Sequence, residues 1–159
     1  MREPVEFRFT LTGTGWAESR IAVGDAWAGP TASYLSDALG DLLHAVRELA
    51  EGAEEVRATW DEEPGEFRWI FRRNGQSVHL LILAFPEWRA IVDSPDTNGT
   101  VLLDADCALV DLIGAVVAGT RKVLDEHGVE GYNVKWVEHP FPADDLRALE
   151  RSLSEIEAG

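Results

Sequence analysis

The chain carries four histidines and one cysteine, the residues best suited to nucleophilic or metal chemistry, and their spacing argues against both. Cys107 follows Asp104-Ala105-Asp106 at what reads as the opening of a helix, where the N-terminal dipole can acidify a thiol. A thiolate nucleophile also needs a base beside it, and no histidine is local to Cys107. His44, His79, His127 and His139 are scattered, with neither HxH nor HExxH spacing. Asp104 and Asp106 read more simply as capping residues, and Cys107 as a small packed side chain. A single cysteine excludes an internal disulfide and any multi-cysteine metal site.

Two further stretches have the composition of a site but not its spacing. The acidic run Asp61-Glu62-Glu63-Pro64-Gly65-Glu66 lacks the alternating ligands of a cation loop and reads as a solvated turn. Gly13-Thr14-Gly15 is followed by a strand rather than a helix, so it reads as a hairpin turn and not a phosphate cradle. GxGxxG, GxxxxGK[ST] and GxSxG are all absent. No catalytic residue, metal ligand or cofactor is assigned, and the expectation is a protein that is not an enzyme.

Charge gives the firmer bound. Fourteen basic against 29 acidic residues leave a net charge of −15. That field repels nucleic acid and anionic membranes and speeds encounter with a basic protein. The longest apolar run, Leu80 to Phe85, is too short to span a bilayer. Met1 to Glu6 lacks the apolar stretch of a signal peptide, so a cytoplasmic location is expected.

The elements that must position any site follow from periodicity. At 159 residues, with no linker or repeat, the chain reads as a single α+β domain spanning 1–159. Val5 to Leu11 and Trp16 to Val23 alternate apolar and polar residues and form a hairpin. A helix is expected from Thr31 or Ser33 to Glu51, with Leu35, Ala38, Leu39, Leu42, Val46 and Leu49 on one stripe. Glu55 to Glu62, Glu66 to Arg73 and Ser77 to Phe85 read as an antiparallel meander, and Asn74-Gly75 marks its second turn. Ser77 to Phe85 is apolar on both faces, which places it inside a sheet covered on both sides for part of its length. Trp88 to Val92 reads as a short sixth strand. A long helix capped by Asp104 or Asp106 runs to about His127, with Gly128 just beyond it. A segment with Tyr132 and Trp136 then leads to a last helix carrying Leu146, Leu149, Leu153 and Ile156. The order β-β-α-β-β-β-(β)-α-α predicts an antiparallel sheet of five or six strands. Two long helices cover one face, and a C-terminal helix completes the fold.

On that plan Phe67, Trp69 and Phe71 face the helices, while Arg8, Arg20, Arg57, Arg68 and Arg72 point the other way with Ile70, Leu81 and Leu83. One reading is a solvated face laced with cross-strand ion pairs. The other is a binding surface, since arginines among aliphatic residues on rigid strands suit a protein partner. Trp27, Trp88 and Trp136 lie in or beside loops, where tryptophan commonly anchors an interface. The expected function is a protein-binding domain, in its most concrete form an acidic inhibitor of the immunity type for a basic partner. The alternatives are an enzyme or ligand carrier with a pocket between sheet and helices, and a homodimer through the open sheet face.

Overall fold

The computed structural model describes residues 3–62, 65–86, 94–137 and 139–158. Their order is β1 (Val5–Gly13), β2 (Trp16–Val23), β3 (Ala26–Ala28), β4 (Ala32–Ser33), α1 (Ala38–Ala50), β5 (Glu55–Asp61), β6 (Glu66–Asn74) and β7 (Ser77–Phe85). A 3-10 turn over Asp96–Asn98 precedes β8 (Thr100–Ala108), α2 (Leu109–Trp136) and α3 (Ala143–Ala158).

The class is α+β, but the strands do not form the single five- or six-stranded sheet that the pattern suggests. They make two four-stranded antiparallel sheets. In the first, β1-β2-β3 form a path and β4 pairs with β2; the second is β5-β6-β7-β8. Hairpin signals specify sequence neighbours only, and both sheets satisfy every such signal without joining edges. The strand expected at Trp88 to Val92 lies outside the described residues. The free edge of β7 pairs with β8, with His79 opposite Asp106 and Leu81 opposite Asp104. Asp104 and Asp106 are therefore strand residues, not helix caps, and α2 begins at Leu109.

Each sheet turns one face toward a shared interior. Phe7, Phe9 and Leu11 of β1 point inward, as do Trp60 of β5 and Trp69 and Phe71 of β6. Phe7 meets Trp69 edge-on at 6.3 Å between ring centroids, and Phe9 meets Trp60 at 5.7 Å. The two sheets thus share one aromatic core. Helix α1 lies against β5 and α2 against β1. Trp69, Phe71, Ile82, Leu39, Leu42, Val46 and Ile113 are all buried in it, with Phe67 and Val117 packed at its edge.

The helices differ from expectation at their ends. Residues 29–37, read partly as helix, contain β4 and a strap that leads into α1, and Leu35 is left exposed. Asp37, not a hydroxyl residue, occupies the N-cap position. Helix α2 breaks at Gly128, whose φ is +69°, but continues to Trp136, so Tyr132 and Trp136 become buried helix residues.

Gly119 explains how closely α2 crosses β1. A Cβ built on it would sit 2.5 Å from the Phe7 carbonyl oxygen, whereas one on Gly114 meets only Leu153 Cδ1 at 4.0 Å. Either glycine costs a helix about 1 kcal/mol relative to alanine. We expect Gly114→Ala to recover part of that. Gly119→Ala should instead lose about 1–3 kcal/mol, because the clash is with backbone and forces the helix off the strand. Denaturant melts of the two variants check this, and equal gains would mean that the crossing is looser than described.

Candidate protein-binding surfaces

Among the described residues an exposed sheet face does exist, and it belongs to the first sheet. Inward Phe7, Phe9 and Leu11 leave Glu6, Arg8 and Thr10 outward, and inward Ala17 and Ile21 leave Trp16, Glu18 and Arg20 outward. Register places Arg8 opposite Arg20 and Ala22 opposite Trp27, so these residues share a face. Trp27 is 56% exposed and Trp16 42%. The Arg20 guanidinium carbon lies 4.4 Å from the centre of the Trp27 ring, a cation–π contact on an open surface. Arg8 is paired with Glu6 at 2.8 Å. The alternation that marks β2 also turns Trp16 outward, so its place on this face was legible although it was not singled out.

The far face of the second sheet is closed where it was expected to be open. Ile70, Leu83 and Phe85 are buried there as a second small cluster, with Leu81 partly buried beside them. Arg68 is held over that cluster: Nε lies 2.6 Å from Glu66 Oε2 and Nη1 3.0 Å from Asp96 Oδ1. Nη1 also donates to the Ser94 carbonyl at 2.8 Å, and the guanidinium lies 4.0 Å above the Phe85 ring. Arg57 binds both Asp96 oxygens, at 3.0 and 2.6 Å, and Arg72 binds Glu55 at 2.7 Å. Arg57 above all, and Arg68 after it, hold the Asp96 carboxyl below its usual value, against the opposing effect of burial. Ile70 and Leu83 are thus withdrawn from direct contact with a partner, and Arg68 ties the turn around Asp96 to the sheet. Trp136 is withdrawn too, being fully buried, and Trp88 lies outside the described residues.

A third region was not visible in the sequence. The strap before α1 is pinned from four directions. Tyr34 N–H donates to the Gly15 carbonyl (2.9 Å), and His139 Nε2 lies 3.1 Å from the Tyr34 carbonyl. Trp136 Nε1–H donates to the Ser36 carbonyl (3.2 Å), and Asp61 N–H donates to Ser36 Oγ (3.0 Å). This gathers Asp37, Asp41 and Asp61 with no arginine or lysine paired to them among the described residues. Partial desolvation by the surrounding protein raises the pKa of all three, and for Asp41 the charge of Asp37 is the next cause, lifting it to about 6. His139 and His44 oppose the rise in Asp41, and Asp61 adds to it.

A raised carboxyl holds its proton more tightly in the folded state than in the unfolded chain. The stability it contributes is therefore present at low pH and lost as pH rises through the folded value. With Asp41 moved from 3.8 to about 6, unfolding free energy should fall between about pH 4 and about pH 7, with Asp37 and Asp61 acting in the same direction. Thermal melts across that window check this, and Asp41→Asn should flatten the profile.

Cys107 faces the core on β8 and is buried; burial pushes its thiol up to about 11, with Asp111 and Asp106 adding to the rise. Strand alternation puts His79 on the other face, its ring nitrogens 2.9 Å from Asp106 and 3.1 Å from Asp104. The two therefore cannot form a nucleophile and base. A broad groove of about 810 Å³ opens between the start of β1 and helices α2 and α3, floored by small residues such as Gly114 and Ala115. No described helix is long and apolar enough to cross a membrane.

No family model matches the chain. No curated protein matches it either. Among solved structures, a chain of the CdiA-CT/CdiI toxin and immunity complex from Enterobacter cloacae is similar to it, with a TM-score of 0.48 and 12% sequence identity. The match covers 74% of this chain and 99% of that chain. The functional reading accordingly rests on the surface of this chain itself.

Proposed function

We propose that this chain is a non-enzymatic protein-binding domain whose recognition surface is the outer face of β1, β2 and β3, anchored by Trp27. The observation that carries this is an indole 56% exposed on a rigid strand, with the Arg20 guanidinium stacked on it. Tryptophan and arginine are, with tyrosine, the residues enriched at the hot spots of protein interfaces. Here the stack holds both side chains in place before binding, which lowers the entropy that association must overcome. Arg8 and Trp16 extend the surface. Two observations support a role without catalysis: the one thiol is buried with a raised pKa, and His79 lies across the sheet from it.

Net charge supports the narrower reading of an acidic inhibitor of the immunity type. A chain at −15 attracts a basic protein from a distance and speeds the encounter. The mixed charges around Trp27 then set register.

The test is a partner captured from source cells, purified, and titrated against wild type and Trp27→Ala. Loss of an anchor of this type should cost at least about 2 kcal/mol, roughly thirtyfold in Kd. The melting temperature should hardly move, because the ring is mostly in solvent. Unchanged affinity would remove the face from the interface. Self-association of the wild type that Trp27→Ala abolishes would instead make the face a subunit contact.

A further inference from the structure

We propose that the arginines beside Trp27 receive a carboxylate side chain of the protein partner, gripped by the Arg20 guanidinium in a two-pronged pair. This rests on the reading of the β1-β2-β3 face as the recognition surface and names the chemistry it recognises.

The two cations are placed against electrostatic preference. Register sets Arg8 directly opposite Arg20 on the neighbouring strand. Like charges in that position destabilise a sheet. A chain with 29 acidic and 14 basic residues has no shortage of carboxylates to answer them. Arg8 has one, Glu6, at 2.8 Å. Arg20 has none: it forms no ion pair or hydrogen bond among the described residues, although Glu18 lies two positions along the same outward face. Its guanidinium is held over the Trp27 ring instead, 4.4 Å from the centre. The ring in turn passes close to Gly29, where an added Cβ would come within 3.6 Å of Trp27 Cζ3. A ring face balances the charge of a guanidinium without using its N–H donors, so all five stay open at a fixed place on the surface. Those donors form a rigid fork that matches the two oxygens of a carboxylate. Arg8 adds a second positive charge across the strand, and the indole supplies apolar area that sheds water from the pair.

The preference is local. The field of a chain at −15 draws in a basic protein and elsewhere repels carboxylates. A partner is therefore held best in the one register that brings an aspartate or glutamate of its own to Arg20.

The probe is N-acetyl-L-glutamate α-amide, titrated while the Trp27 indole N–H and the Arg20 side-chain N–H are followed by NMR. Shifts that saturate at about 10–100 mM are expected, as for one solvent-exposed charged pair. The neutral N-acetyl-L-glutamine amide should produce none. Arg20→Gln should abolish saturation and, against the captured partner, raise Kd at least about tenfold. Its melting temperature should equal or slightly exceed that of wild type, since the charge opposite Arg8 is gone. Arg20→Lys keeps the charge but not the fork and should recover only part of the binding. Absence of saturation, equal shifts with the glutamine probe or with sodium chloride at matched ionic strength, or full partner affinity in Arg20→Gln would each overturn the proposal. So would saturation by inorganic phosphate far below the glutamate range, which would make the arginines a phosphate site. The two readings fail separately. Unchanged partner affinity in Trp27→Ala removes the face itself. A large loss there, with a probe that does not discriminate, removes only the carboxylate.

Discussion

Arg68→Glu is expected to lower the unfolding free energy by about 3–5 kcal/mol, the loss typical when one partner of a buried ion pair is removed. The sequence pattern predicts the opposite, since it places Arg68 with Arg72 on an open face where charge reversal costs little. What differs is burial. The Arg68 side chain is 14% exposed and its partner Glu66 12%, whereas Arg72 is 59% exposed. Reversal at position 68 would put a third carboxylate beside Glu66 and Asp96 and release the turn that Arg68 grips through Ser94. Asp96 is 29% exposed, which pulls the cost toward the lower end of the range. Arg72→Glu, four positions along the same strand, breaks a solvent-exposed pair with Glu55 and should cost less than about 1 kcal/mol. Urea melts of the two single variants decide the matter. Equal small losses would return the far face of the second sheet to the pool of open surfaces.

Ile113→Ala and Leu42→Ala should each cost about 2–5 kcal/mol, the cavity-dependent range for truncating a buried aliphatic residue. Both side chains are 0% exposed, one on α2 and one on α1, and both belong to the core that the two sheets share. The neighbouring helices and sheets hold the surrounding backbone, so the space left behind cannot close. Val117→Ala is the contrast, since Val117 is only partly buried at the edge of that core. Denaturant melts should rank it well below the other two. Tolerance of both large truncations would mean that the helix faces are assigned wrongly.

Alternation and helical period were enough to assign faces. Phe67, Trp69 and Phe71 point inward and Arg8 and Arg20 outward, because each property depends only on residues a few positions apart; Gly128, read as the end of a helix, proves to be a kink within one. The strand Thr100–Ala108 was harder, although its period of two is plain: Leu103, Ala105 and Cys107 against Asp104 and Asp106. Aspartates are depleted in strands and favoured at helix starts, so local preference pointed to a cap. The structure overrides it by setting Asp104 and Asp106 against His79 on the adjacent strand. Division into two sheets was beyond reach for a related reason, since hairpins specify only sequence neighbours and the choice of edge depends on packing across the core. The burial of Ile70 and Leu83 likewise exists only once the chain is folded. Period and propensity act over one turn or one strand. Which surfaces stay open is decided by segments far apart in sequence competing to cover the same apolar area.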